Sequence, residues 1–289
     1  MTHYMVFRNT AAKVEYFANI FEDKSYKISF SMKKQNLLIA IICLLGLNQV
    51  KAIRFYNDGD TLFVWAQSGL ILRDAPDLKS KKIVALSFGA IVVPKMHKQT
   101  DGNEISIEVI SSCIYEGQNY SGYKIPGNWV QVSANGKTGY VFDGFLSKYP
   151  PPNSQEQFEW KFDSYLTRVF GIASNVQDMG KSQHVSKLNC NFYKNGASLQ
   201  SRGIGDGLLQ TTYILPELSL EEGYLIANHF CKLEKNTNTT PSDPEESGFF
   251  LKMVSPNLLD FSADKTSMPA YVSVGCVNGV VIISTLYSC

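Results

Sequence analysis

The sequence predicts a small all-β unit joined by a proline spacer to an α+β domain, behind an N-terminal segment that is not part of either. Three observations carry this reading. Between residues 58 and 149, short apolar runs alternate with turn residues, the pattern of an antiparallel sheet. Pro150-Pro151-Pro152 then forms a stiff, extended break. Beyond it, a capped helical pattern at 219–234 stands among further strand-like runs.

The N-terminal segment reads as an export signal. Lys33-Lys34 precedes the apolar run Leu37–Leu47, and Val50 and Ala52 stand three residues and one residue before the expected cut. A basic lead, a short apolar centre and compact residues at those positions make up a secretory signal peptide. The run is too short to span a bilayer, which takes ~20 residues. Met32 is where such a peptide would begin, so residues 32–52 are expected to be the signal and residues 1–31 an over-called, disordered start. Cys43 lies inside the apolar run behind Ile42, which does not suit a lipoprotein cysteine. The expected location is therefore periplasmic or extracellular.

Charge narrows the classes of partner. The first 52 residues hold seven of the 27 basic and three of the 26 acidic residues, so the remainder carries 20 against 23, a net of −3. Nucleic-acid binders need clustered Lys and Arg to displace counterions, and no basic run longer than Lys81-Lys82 follows the signal. Export also changes how cysteines read, because disulfides persist outside the cytosol. Cys190, Cys231, Cys276 and Cys289 are the candidates to staple the C-terminal domain; with Cys113 the count is odd, and the pairing is open.

Within 58–149 the strands can be placed one by one. Leu62-Phe63-Val64-Trp65 and Leu70-Ile71-Leu72-Arg73 flank Ser68-Gly69; in the second, Leu70 and Leu72 share one face. Ile83–Leu86, a turn at Gly89 and Ile91–Val93 follow. Trp129–Val132 and Gly139–Val141 flank Asn135-Gly136, the sequence that a type I′ hairpin turn demands because it needs positive φ twice.

These runs resemble bacterial SH3 (SH3b) domains at both ends. The opening Val64–Pro76, with Leu-Ile-Leu-Arg running into Pro76, then Ser80, Ile83, Leu86 and Gly89, is similar to the start of that family. Gly127, Trp129, Val130, Val132, Gly139, Tyr140, Val141, Phe145 and Leu146 are similar to its close. The resemblance covers about a third of the chain and implies an SH3-like β-barrel over 58–149. The chain departs from the pattern between Pro94 and Gly127, where strand-like Ile105–Ile110 and a loop rich in Tyr and Gly suggest an inserted hairpin.

That insertion supplies the binding candidates. Tyr115, Tyr120 and Tyr123, separated by Gly117, Asn119, Ser121 and Gly122, combine rigid amphipathic rings with an adaptable backbone, as recognition loops do. The same tyrosines could equally cover the open end of the barrel. Trp129 and Tyr140 are further candidates, which fit the barrel core or its rim as well as a ligand.

After a linker at 150–157, residues 158–289 read as α+β. Ser154 and Gln157 suggest a capping box ahead of Phe158, Phe162, Tyr165, Leu166, Val169 and Phe170, with Gly171 as the stop, although Phe158–Phe162 also alternates like a strand. Ser219 and Glu222 suggest a second box, and the apolar residues that follow surround the axis, predicting a buried helix. Strands are expected at 188–193, 208–215, 249–254, 271–277 and 280–287, the last two joined by a second Asn-Gly turn at Asn278-Gly279. Asn236 to Gly248 reads as a polar loop.

No residue constellation here predicts catalysis, a metal or a cofactor. Exported SH3b proteins often carry a cysteine peptidase that cuts peptidoglycan, with Asp-Cys-Ser-Gly opening a helix; Cys190 lies in the strand-like Leu188–Phe192 instead, and Cys231 sits at the helix end that disfavours a thiolate. His229 and Cys231 are about 200° apart around a helix and cannot share a metal. His97 and His184 are isolated. Gly-Ala-Ser-Leu-Gln at 196–200 lacks the second Gly of a nucleophile elbow, and Gly203–Gly207 lacks the Lys-Ser/Thr of a P-loop. Asp243, Glu245 and Glu246 lack the alternating oxygens of an EF-hand. The resemblance implies a non-catalytic binding protein of the cell envelope, its barrel holding peptidoglycan peptides or a protein partner. The alternatives are an envelope enzyme with its site in 158–289, and an inhibitor or scaffold.

Overall fold

The computed structural model describes residues 56–95, 104–115, 117–156, 161–178, 185–204, 208–233, 249–263 and 271–288. The signal expected at 32–52, residues 1–31, His97, His184, the acidic group at 243–246 and Cys289 lie outside them. The chain is mostly β and every sheet is antiparallel. Among the described residues no helix is long and apolar enough to cross a membrane. Ala52–Cys289 forms one compact unit.

The first sheet is made by β1 (Leu62–Val64), β2 (Leu70–Arg73), β3 (Lys82–Leu86), β4 (Ile91–Pro94), β9 (Trp129–Ala134), β10 (Lys137–Phe142) and β11 (Leu146–Ser147), in the order β11-β1-β4-β9-β10-β2-β3. All seven strands, the two outermost included, send residues into one core: Leu146, Leu62, Val64, Val92, Val132, Ala134, Val141, Leu72 and Leu86. A flat sheet cannot bring its first and last strands together, so this one is rolled. Asn135 and Gly136 both have positive φ at the β9–β10 turn, as their sequence predicts. Gly139 lets β10 approach β2, since a Cβ there would lie 2.4 Å from the Arg73 carbonyl oxygen.

Between β4 and β9 runs a long kinked hairpin. Its lower half is β5 (Ile105–Ile110) with β8 (Tyr123–Gly127), and its tip is β6 (Cys113–Tyr115) with β7 (Gln118–Tyr120). The inserted hairpin expected at this place is present.

The second sheet has eight strands: β12 (Ile172–Asp178), β13 (Val185–Tyr193), β14 (Ser198–Ile204), β15 (Leu208–Pro216), β16 (Phe249–Ser255), β17 (Leu258–Ala263), β18 (Tyr271–Val277) and β19 (Val280–Ser288). Their order is β12-β13-β14-β15-β19-β18-β17-β16. Helix α1 (Phe162–Phe170) precedes β12, and α2 (Leu220–Cys231) carries the chain from β15 to the far edge. Both parts of the Ser219–Glu222 capping box form: Ser219 Oγ accepts from the Glu222 N–H at 3.3 Å, and Glu222 Oε2 accepts from the Ser219 N–H at 3.0 Å. Gln157, the partner in the box expected at Ser154, lies outside the described residues. Helix α1 begins at Phe162 without a side-chain cap, and the turn before it is tied by Asn153 and Glu156. Gly171 does end α1, at φ +68°. Cys113, Cys190 and Cys276 are thiols, and Cys289, one of the four staple candidates, lies outside the described residues.

Helix α2 lies between the two sheets. One side packs on β18 and β19, where Gly223 permits close contact; a Cβ there would stand 2.6 Å from Val281. The other meets the rolled sheet and its hairpin, with Tyr224 edge-on to Tyr123 at 5.2 Å and His229 stacked on Phe88 at 5.4 Å. Residues from both halves therefore share one continuous core, Trp65, Ile125 and Phe142 on one side and Tyr213, Leu259 and Ile283 on the other. The proline spacer is fixed within it: the Trp65 indole donates to the Tyr149 carbonyl at 2.7 Å, Tyr165 OH to the Pro150 carbonyl at 2.8 Å, and Arg168 grips Glu156 at 2.7 Å.

His229 is 7% exposed and packs between Phe88 and Trp65. The Gln67 side-chain amide donates to its Nδ1 at 3.4 Å, leaving the ring proton on Nε2, which is buried without a partner. Burial, aided by Lys232, lowers its pKa from 6.5 to about 4. A folded pKa below the unfolded one means that the unfolded chain binds the proton first. Stability is thus complete above pH 6.5 and falls as the pH drops toward 4. The difference in thermal midpoint between His229→Gln and the parent protein is expected to shift over this window, in the variant's favour toward the acid end; a pH-independent difference would contradict the assignment.

Candidate functional site

Leu78, 56% accessible, stands beside a concave surface in the loop between β2 and β3. This loop is held rigidly by its own polar groups. The Arg73 guanidinium donates to the Ser80 carbonyl at 2.7 Å, and Ser80 Oγ donates toward the Ala75 and Asp77 carbonyls at 2.8 and 2.7 Å. Asp77 Oδ1 accepts from the Lys79 N–H at 2.6 Å. Arg73, Asp77 and Ser80 therefore act together to fix the loop that presents Leu78.

Facing the loop is Trp129, the first residue of β9. Its position is set from below by a buried carboxylate. Asp143 accepts from the Asn128 N–H at 2.6 Å and from Tyr56 OH at 2.7 Å, while its own N–H donates to the Asn128 carbonyl at 3.0 Å. Gly127 has no room for a side chain, because a Cβ would meet the Phe142 ring at 2.3 Å. Pro76, Asp77, Leu78 and Lys79 line an open groove of about 400 Å³ together with Glu104, Ile105 and Trp129. The groove thus combines apolar surface with one cation and two carboxylates. Ile105 comes from the inserted hairpin.

The five aromatic candidates separate in the structure, and only Trp129 reaches this groove. Tyr140 pairs with Arg73 across β10–β2 and is half-buried against the shared core. Tyr123 is buried against Tyr224, and desolvation holds its phenol far above the usual range. Tyr115 and Tyr120 reach over strand β16 and pack on Phe250, with ring centroids at 5.0 and 4.4 Å. Lys252 closes the contact, its Nζ 4.5 Å from the Tyr120 ring centre and donating to the Tyr120 hydroxyl at 3.2 Å. The tyrosine loop is a clasp onto the second sheet. Sequence alone offers Phe250 no link to these tyrosines, since their partner lies some 130 residues away.

The cysteines are not poised for chemistry. Burial raises the Cys190 thiol above its usual value and pushes Cys276 to about 11, against the pull of a backbone hydrogen bond from Gly279. Cys276 Sγ donates to the Leu218 carbonyl at 3.6 Å. Cys231 occupies the last turn of α2, at the unfavourable end of the helix dipole. Among the described residues no three His, Cys, Asp or Glu side chains gather as metal ligands.

No protein-family model matches the chain, and comparison with curated proteins and with solved structures gives no significant match.

The clasp sets a measurable expectation. Phe250 is 1% exposed and supports two rings, so Phe250→Ala should cost ~3–5 kcal/mol and release the hairpin tip. Limited proteolysis should then cut within 111–122 much faster than in the parent protein. Equal cutting rates would mean that the tip is held elsewhere.

Proposed function

We propose that this protein is a non-catalytic binding protein of the cell envelope, in which an SH3-like barrel over 58–149 takes a peptide in the groove between Leu78 and Trp129. The rigid loop that presents an exposed Leu78 opposite Trp129 is the observation that carries this reading. A preorganised wall lowers the ordering cost of binding, and aromatic floors with apolar walls suit extended peptides. Asp77, Lys79 and Glu104 on the rim favour a ligand carrying charges of both signs. Peptidoglycan stem and cross-bridge peptides, which bear both amines and carboxylates, fit that description. Export by the signal at 32–52 would place the groove beside them.

The raised thiols of Cys190 and Cys276 and the buried His229 supply no activated nucleophile–base pair, which is why binding is preferred to hydrolysis. Co-sedimentation with purified sacculi tests the proposal, using residues 53–289. The parent protein should pellet with the wall, and Leu78→Asp, an exposed change that leaves the core intact, should bind about tenfold more weakly, a loss of ~1.4 kcal/mol. A parent protein that stays in the supernatant would remove the wall as the ligand. Retention that Leu78→Asp does not alter would move the site away from this groove.

A further inference from the structure

The two edges of the eight-stranded sheet are treated differently. Edge strand β16 is protected by a lysine, Lys252, by a register shift between Leu251 and Met253, and by the tyrosine clasp. These are devices by which proteins stop an edge from pairing with another chain. At the other edge, Ile172–Val176 of β12 are all exposed, and Ile172–Gln177 carries neither a charge nor a proline. Its one irregularity, between Ile172 and Ser174, lies at the start.

The backbone groups that point outward can be identified. Lys194 N–H donates to the Gly171 carbonyl on the β12 side, whereas Tyr193 N–H donates to Ala197 on the β14 side. Hydrogen bonding alternates along an antiparallel strand, so Phe192 and Cys190 bond to their partners Ser174 and Val176. The N–H and C=O groups of Asn175 and Gln177 therefore face away from the sheet.

We propose that β12 pairs antiparallel with β12 of a second copy of this chain, joining two eight-stranded sheets across a two-fold axis near Asn175. The strand fits itself. In this register Val176 lies opposite Ser174 of the other copy, Asn175 opposite Asn175, and Ala173 opposite Gln177, so the outward backbone groups of both copies meet. No like charges are opposed: Asp178, the strand's one acidic residue, falls opposite Ile172, at opposite ends of the seam from its symmetry mate. Two further features continue across the axis. Asn175 Nδ2 bonds Asn191 Oδ1 and lies 3.3 Å from Asn189 Oδ1, an amide ladder that the second Asn175 extends. On the opposite face, the Val176 residues of the two copies, 53% exposed, lie diagonally across the axis, with Phe192, 40% exposed, beside them on the next strand of each copy. An isologous contact of this kind closes at a dimer, because it consumes the free edge.

Sedimentation equilibrium on residues 52–289, which hold a complete core of their own, tests the proposal. The parent protein should show a monomer–dimer equilibrium. Val176→Lys changes an exposed side chain and installs the missing edge charge, and Gln177→Pro removes an outward N–H; each should weaken the dimer at least about tenfold, ~1.4 kcal/mol, with the monomer's thermal midpoint close to the parent's. A parent protein that is monomeric throughout overturns the proposal, as does a dimer that both variants leave unchanged. Wall binding by Leu78 is read in a separate assay, so either idea can fail alone.

Discussion

The structure depends on the burial of one helix from two sides. Of the residues between Leu220 and Phe230 only Glu222 is not buried, so α2 cannot be a surface helix of either sheet by itself. It serves as the common filling between the rolled sheet and the eight-stranded one. Burying a large apolar side chain is worth ~1.5–3 kcal/mol, and Tyr224, Leu225, Ile226 and Phe230 are all at or below 5% exposed. Remove either sheet and half of that burial is lost. The tied proline spacer, the clasp on Phe250 and the Gln67–His229 contact all follow from this arrangement, since each holds the two sheets against the same helix.

This explains why the two halves are a poor guide to separate domains. A run of three prolines ordinarily marks a boundary, and Pro150–Pro152 does divide two sheets. Yet the carbonyls of residues 149–151 are all engaged, by Trp65, Tyr165 and Arg168. A proline segment that is packed stiffens a junction where an exposed one would only space it. The groove beside Trp129 gains from this, because its hairpin wall is anchored at the far end to β16.

Much of this was legible from residues in order. Both Asn-Gly turns, the Ser219–Glu222 box and the all-round apolar pattern of α2 are local signals, and local physics made the elements they announce. Strands β12, β14 and β17 were not legible. Ile172–Asp178 and Ser198–Ile204 are largely polar, because an edge strand and its neighbours beyond the helix face solvent and need no alternation. Helix α1 is described from Phe162, and Phe158–Phe162 offers two periodicities at once. Of the site, the pattern Arg73–Pro76–Ser80 and Trp129 could be read, but Leu78 and Ile105 could not. Their place in a groove comes from the approach of two loops, which no spacing records. The tyrosines were singled out for their composition; their partner was set by tertiary packing.

The sheet order has a consequence for how the chain is made. The meander β12–β15 and the meander β16–β19 join only through β15 and β19, and β19 follows the other seven strands in the sequence. Until residues 280–288 leave the ribosome, the eight-stranded sheet exists as two unconnected halves and α2 lacks Val281 and Ile283 beneath it. A chain that ends early therefore cannot settle into a nearly correct form. The pairing of β15 with β19 is thus the step that turns two meanders into one sheet.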